Sequence, residues 1–198
     1  MNKGSRGLFL MLVIAVFSLS AVTVFSQEKD KKEEENKKKE TFTAVVVGTG
    51  GGIGARTMNL NIYINSYTSD QEVQEYLTVL KEKGQDELRR MLEKVEVGRI
   101  APAAGVGVDL AIARSFQTPE GRVVRVGTLR PMSFLELYRG GRSTNYPFTF
   151  VELRLDQEGK GEGSILGGTQ VKFNKEGQLE LESYGNQYAK LSNVKAWD

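Results

Sequence analysis

The residues best suited to binding chemistry lie in one glycine- and hydroxyl-rich loop of the sequence, YRGGRSTNY. Its two arginines carry planar guanidinium groups that match the geometry of carboxylates and phosphates. The flanking tyrosines could stack on a sugar ring. The alternative is a solvated loop whose arginines pair with nearby acids. The predicted ligand-binding residues are Tyr138, Arg139, Arg142, Asn145 and Tyr146.

Three carboxylates within or near predicted strands could support catalysis: Asp109, Glu136 and Glu152. A pair of carboxyl groups about 5–10 Å apart would suit glycoside hydrolysis. The sequence does not show that any two of them converge, and Glu152 has Arg154 as a same-face neighbour. We therefore favour structural ion pairing for these acids.

The absence of two residue types excludes most catalytic and metal chemistry. The 198-residue chain contains no cysteine and no histidine. It therefore has no disulfide, no thiol nucleophile, no Ser-His-Asp arrangement and none of the usual zinc ligands apart from carboxylates. The nucleophile motif G-x-S-x-G is also missing from the sequence. We predict no cofactor and no metal, and a non-enzymatic role is favoured.

Two glycine-containing motifs suggest binding sites but have simpler readings. The run VVVGTGGGIG looks like a strand entering a dinucleotide loop, which requires a helix directly afterwards. Here the pattern that follows is that of a strand, so we interpret the run as a hairpin or bulge, with a ligand-contacting loop as the alternative. Residues 156–162 open like a calcium loop but have Lys160 at the fifth place and no closing Glu. They predict a hairpin turn.

Residues 1–26 have the pattern of an export signal. Lys3 and Arg6 precede an apolar run from Leu8 to about Leu19, and Val24-Phe25-Ser26 offers a cleavage site. The alternatives are an uncleaved anchor through residues 8–25, close to the ~18 residues that a span needs, and a buried helix. We predict an exported protein, periplasmic or extracellular, that contacts the membrane only through an uncleaved N-terminal segment if at all.

The segment 27–40, QEKDKKEEENKKKE, has no apolar residue and equal numbers of lysines and acids. Such a segment cannot bury enough apolar surface to offset the entropy of ordering, so we predict a disordered linker. Residues 41–198 then form a single domain with 19 basic and 19 acidic residues. This neutral balance argues against nucleic-acid binding.

Apolar periodicity predicts the first elements of that domain. A β-branched run, Thr41–Val47, predicts the first strand, and strict alternation over residues 58–65 predicts the second. The capping box formed by Ser69 and Glu72 begins a helix that Gly84 ends, and a second helix follows at once.

Strands dominate the remainder of the domain, which has most of the glycines. The segment 132–139 is predicted to be a short helix or an irregular connection. The fold class is therefore α+β: a mainly antiparallel sheet or flattened barrel of about seven to nine strands with a two-helix insertion after the second strand. The later predicted strands are 106–113, 122–129, 148–156, 163–166, 169–173 and 179–182, with an edge strand at 188–197.

These features support three functional hypotheses. The first is a non-enzymatic envelope protein that binds an unknown small ligand or a partner protein through its sheet surface or glycine-rich loops. The second is a carboxylate-dependent glycan hydrolase of the cell envelope, which would need two facing acids, one with a raised pKa. The third is a purely structural or assembly role. An apolar cavity would indicate a carrier, whereas an exposed sheet edge would indicate strand addition by a partner.

Overall fold

The computed structural model describes residues 38–48, 57–129, 145–183 and 188–197. These ranges contain ten strands and two helices. The strands are β1 (Glu40–Gly48), β2 (Thr57–Ile64), β3 (Gly98–Pro102), β4 (Val108–Leu110), β5 (Ile112–Thr118), β6 (Gly121–Thr128), β7 (Phe148–Leu155), β8 (Lys160–Phe173), β9 (Leu179–Ser183) and β10 (Tyr188–Trp197). The helices are α1 (Asp70–Lys83) and α2 (Gln85–Leu92).

Nine of these strands form a nearly closed antiparallel barrel, in the order β4-β3-β2-β1-β10-β8-β7-β6-β5. The two ends of this order, β4 and β5, are consecutive in the chain and meet at Ala111. The Ala111 backbone N–H donates to the Gly127 carbonyl of β6 at 2.9 Å. One bent strand therefore pairs with β3 before the bend and with β6 after it. The predicted antiparallel architecture with a two-helix insertion after the second strand is confirmed.

Apolar side chains from alternate positions of the barrel strands fill the interior. On β2, for example, Leu60, Ile62 and Ile64 are buried, while Asn61 and Tyr63 face outward, as the alternation predicts. An interior of about eight strands is just wide enough for side chains to fill it. Its fully buried members include Phe42, Leu60, Ile62, Ile64, Ile100, Leu110, Leu153, Ile165 and Leu191.

The helical pair begins with the predicted capping box. Ser69 Oγ accepts from the Glu72 backbone N–H at 3.2 Å, and the Glu72 carboxylate accepts from the Ser69 backbone N–H at 2.6 Å. Gly84, with φ of 82°, separates the two helices. Neither α1 nor α2, the helices of the described ranges, has the length and apolarity to cross a bilayer. Their apolar residues join those of the bend, β7 and β8 in a second apolar cluster: Tyr76, Leu80, Leu88, Leu92, Ala111, Phe148 and Val171.

The C-terminal strands differ from their predictions in two ways. The segments 163–166 and 169–173 form one strand, β8, whose first half pairs with β7 and β10 and whose second half pairs with β9. The predicted edge strand at 188–197 is instead β10, which lies between β1 and β8. This correction matters because it places the only tryptophan of the chain beside β1, whose other neighbour is β2.

Candidate functional site

The predicted binding loop lies only partly within the described residues. Tyr138, Arg139 and Arg142 lie outside them, as does the predicted connection at 132–139. The Asn145 carbonyl accepts from the side-chain amide of Gln85, the first residue of α2, at 3.1 Å. Tyr146 donates from its hydroxyl to Glu182 of β9 at 3.3 Å. The two described members therefore make contacts within the protein, near the helical end of the barrel.

The described carboxylates proposed for catalysis are engaged by arginines. Asp109 lies 4.0 Å from Arg99, and Glu152 lies 2.7 Å from both Arg125 and Arg154. Burial alone would raise the pKa of Glu152, but the hydrogen bonds from the two arginines outweigh it and lower that pKa. A general acid needs the opposite shift. Glu136 lies outside the described residues.

The two glycine-containing motifs differ in how much of them the structure describes. The strands on either side of the first motif, β1 and β2, pair antiparallel, and residues 49–56 between them lie outside the described ranges. The calcium-like segment is the predicted hairpin turn. Asp156 Oδ1 accepts from the backbone N–H groups of Glu158 and Lys160 at 2.8 and 2.9 Å. Within the described ranges, no group of three acidic side chains is arranged to hold a metal ion.

Glu40 is the only charged side chain that is buried among the described residues. It belongs to β1, although the sequence placed it in the charged linker. Its carboxylate accepts from Tyr67 Oη at 2.6 Å, from Arg122 Nη1 at 2.9 Å and from Lys38 Nζ at 3.0 Å. Burial alone would raise the pKa of Glu40, but these three partners outweigh it and lower the pKa to about 2. A strong acid so fully hydrogen-bonded is suited to holding β1 against β6, not to proton transfer.

This low pKa predicts a specific acid sensitivity. The ionised carboxylate of Glu40 stabilises the fold fully above the unfolded pKa of 4.5, and this contribution is lost as pH falls from there toward about 2. The shift corresponds to roughly 3 kcal/mol. We expect urea unfolding at pH 7, 4 and 2.5 to show this decline. The free energy of unfolding of Glu40→Gln should be lower than that of the native protein at pH 7 and should fall less steeply with pH. Parallel falls in the two proteins would contradict the prediction.

On the outer face of β10, β1 and β2, exposed aromatic side chains lie next to polar ones. Trp197 of β10 and Tyr63 of β2 both lie opposite Thr41 of β1. In the next row, Asn61 lies opposite Thr43. Trp197 is 57% exposed and Tyr63 is 41% exposed. We call these five residues, Trp197, Tyr63, Thr41, Thr43 and Asn61, the aromatic patch.

Hydrogen bonds fix both aromatic rings along their strands. The Trp197 indole N–H donates to Thr43 Oγ1 at 3.0 Å, although Trp197 pairs with Thr41 in the sheet. The Asn61 amide donates to Tyr63 Oη at 3.2 Å. Both rings thus lean from the Thr41 row toward the Thr43 row. An exposed aromatic ring held in this way binds a ligand with little loss of rotational freedom.

Basic groups flank the aromatic patch on both sides. Lys195 lies opposite Thr43 on β10 and is exposed, with no ion-pair partner in the part of the chain that the structure describes. Arg99 of β3 lies opposite Tyr63 and forms an ion pair with Asp109 at 4.0 Å. Basic side chains therefore border the patch on two sides, Lys195 without an ion-pair partner among the described residues and Arg99 paired with Asp109, and none of the five patch residues is acidic.

Phe116 of β5, another exposed aromatic side chain, differs in its surroundings. The guanidinium groups of Arg114 and Arg125 lie 5.5 and 5.4 Å from its ring centroid. Its ring is thus already engaged by cations of the same chain. The rings of the aromatic patch are held at their edges by hydrogen bonds, which leaves ring surface exposed for a ligand.

Sequence reasoning missed the aromatic patch because its members come from three separate strands. One signal was present: the alternation of β2 places Asn59, Asn61 and Tyr63 together on one face. Nothing in the sequence indicated that Trp197 would join them. Comparison of the chain with known protein families, with curated proteins and with solved structures finds no match. A function must therefore be inferred from the side chains themselves.

Proposed function

We propose that this chain is an exported, non-enzymatic binding protein of the bacterial-envelope type that holds its ligand or partner on the outer sheet face. The observation that carries the proposal is the aromatic patch, in which Trp197 and Tyr63 are exposed and yet fixed by hydrogen bonds. Aromatic residues anchored on a rigid surface are the usual energetic centres of binding sites. The N-terminal sequence, with its signal-like run and charged tract, supports export.

The barrel interior favours binding on the outside. The apolar residues that line it pack against one another, with Leu60, Ile62, Leu153 and Ile165 all fully buried. A carrier would instead need an enclosed space for its ligand. The described carboxylates do not favour a hydrolase either, because the pKa values of Glu40 and Glu152 are lowered.

Co-sedimentation with cell-envelope fragments of the source organism would test the proposal. We expect the native protein to sediment with the fragments. Trp197→Ala and Tyr63→Ala should each weaken this binding about tenfold, equivalent to ~1.4 kcal/mol. Thermal melts of both variants should lie within a few degrees of the native protein, because each loses sheet-surface contacts worth about 1 kcal/mol or less.

Leu179→Ala provides the matched control for this experiment. Leu179 is 50% exposed, close to the exposure of Trp197, but lies on β9, which pairs only with β8 among the described strands. Its loss should leave envelope binding unchanged. Binding that is insensitive to both patch variants, or equally sensitive to Leu179→Ala, would refute a role for the aromatic patch.

A further inference from the structure

We propose that the ligand of the aromatic patch is an acidic glycan chain, an inference that rests on the proposed binding function. Three properties of the described face lead to it. They are the exposed rings of Trp197 and Tyr63, the hydroxyl and amide groups between and beside them, and the basic border formed by Lys195 and Arg99.

The spacing of the two rings suits an extended ligand. Trp197 and Tyr63 flank Thr41 on the two strands adjacent to β1, so their backbone positions lie two interstrand spacings apart, about 10 Å. The face of a sugar ring presents C–H groups that pack on an aromatic face. The two aromatic side chains therefore offer supports at two points along one chain, a distance that a short stretch of linked sugars can bridge.

The polar members of the patch retain hydrogen-bonding capacity. Thr43 accepts from Trp197 and can still donate its hydroxyl proton. Asn61 donates one amide hydrogen to Tyr63 and keeps a second hydrogen and its carbonyl oxygen. Each group can thus both donate and accept, which matches sugar hydroxyls because these also do both. Such pairing fixes the ligand's orientation while the rings supply the contact area.

A peptide strand is a poorer match for this face. β1 is paired on both sides, with β2 and with β10, so its backbone groups are already used in the sheet. Strand addition requires a free edge. An occupant of the aromatic patch must therefore be recognised by side chains alone.

The charges around the patch indicate an acidic ligand. Lys195 and Arg99 border it on opposite sides, and Asp109, which lies opposite Arg99 on β4, is ion-paired with that arginine. Asp198 follows Trp197 directly in the sequence and adds a carboxylate whose placement lies outside the described residues. One unpaired lysine beside a paired arginine can complement widely spaced carboxylates. A nucleic acid requires more cations, since its affinity depends on many neutralised phosphates.

Calorimetric titration of the purified protein with alginate, a polymer of uronic acids, would test this inference. Carboxyl-reduced alginate serves as the matched neutral ligand. We expect alginate to bind more tightly than the reduced polymer at low salt, and this difference to shrink as salt is raised. Lys195→Ala should weaken alginate binding about fivefold and leave the reduced polymer unaffected. Trp197→Ala should weaken both about tenfold, whereas Trp197→Phe should retain most of the affinity because it keeps an aromatic face.

The outcomes separate the ligand class from the binding function. Equal affinity of the two polymers, or insensitivity to Lys195→Ala, would overturn the acidic preference. A second outcome would overturn the glycan inference and leave the proposed function standing. In that outcome, binding to envelope fragments depends on Trp197, survives periodate oxidation of the sugars and is lost when the fragments are treated with protease. Failure of every patch variant to alter any envelope binding would overturn both. Leu179→Ala again controls for a general surface effect.

Discussion

Replacing Arg122 with methionine should lower the free energy of unfolding by about 3 kcal/mol, because it leaves a buried carboxylate without its principal counter-ion. The Glu40 side chain is only 5% exposed and receives the Arg122 guanidinium at 2.9 Å. The same guanidinium lies 5.6 Å from the centroid of Phe42, so its packing in the barrel is lost as well. Tyr67 and Lys38 remain as partners and limit the loss.

Arg125→Met is the matched control, because it removes an ion-paired arginine from the same strand but on the outer face. The Arg125 side chain is 58% exposed, and its partner Glu152 keeps Arg154 at 2.7 Å. Exposed pairs of this kind contribute less than about 1 kcal/mol. Urea unfolding should therefore show a large fall in midpoint for Arg122→Met and a small one for Arg125→Met, with similar slopes. Equal shifts would mean that the buried cluster does not hold the barrel together.

The sequence alone predicted the elements that are defined by a local pattern of residues. The alternation around Leu60 and Ile62 predicted β2, and the capping box at Ser69 predicted the start of α1 to the residue. The hairpin turn at Asp156 also followed from local chemistry. In each case the decisive interactions are made within a few residues along the chain, where sequence spacing determines geometry.

Long-range pairing was not predictable in this way. β3 is only five residues long, too short for a clear alternation. β10 was expected at an edge, but it pairs with β8 and with β1, and the second pairing joins residues about 150 positions apart in the sequence. Strand order depends on which apolar faces close the barrel together, and no local pattern encodes that choice.

The candidate site was missed for the same reason. The sequence predicted a binding site at Arg139 and Arg142, because guanidinium groups in a glycine-rich loop are a local pattern. Both residues lie outside the described ranges. The alternation of β2 indicated the Asn61 and Tyr63 side of the aromatic patch, but no local pattern joined Trp197 to it, since Trp197 and Tyr63 come from opposite ends of the domain. Only the position of β1 between β10 and β2 brings them together.

Gly161→Ala should destabilise the barrel by about 3 kcal/mol or more, because the added methyl group has no space to occupy. A Cβ at Gly161 would lie 1.8 Å from the backbone carbonyl oxygen of Arg154 and 2.9 Å from its carbonyl carbon. Those atoms belong to β7, which pairs with β8 at this position, while β10 pairs on the other side. Since the obstacle is sheet backbone and not a flexible side chain, relief requires separating paired strands.

Gly177→Ala distinguishes this steric effect from a general cost of replacing glycine. Gly177 lies in the turn between β8 and β9 with φ of +76°, and a Cβ there would have no heavy atom within 4 Å. Its replacement should cost only the backbone strain of a left-handed alanine, about 1 kcal/mol. Chemical denaturation of both variants would compare them directly, and insoluble expression of Gly161→Ala beside soluble Gly177→Ala would indicate the same order. The prediction would be wrong if Gly177→Ala lowered the free energy of unfolding as much as Gly161→Ala or more. That result would show that β8 can move away from β7 at Gly161 without loss of strand pairing.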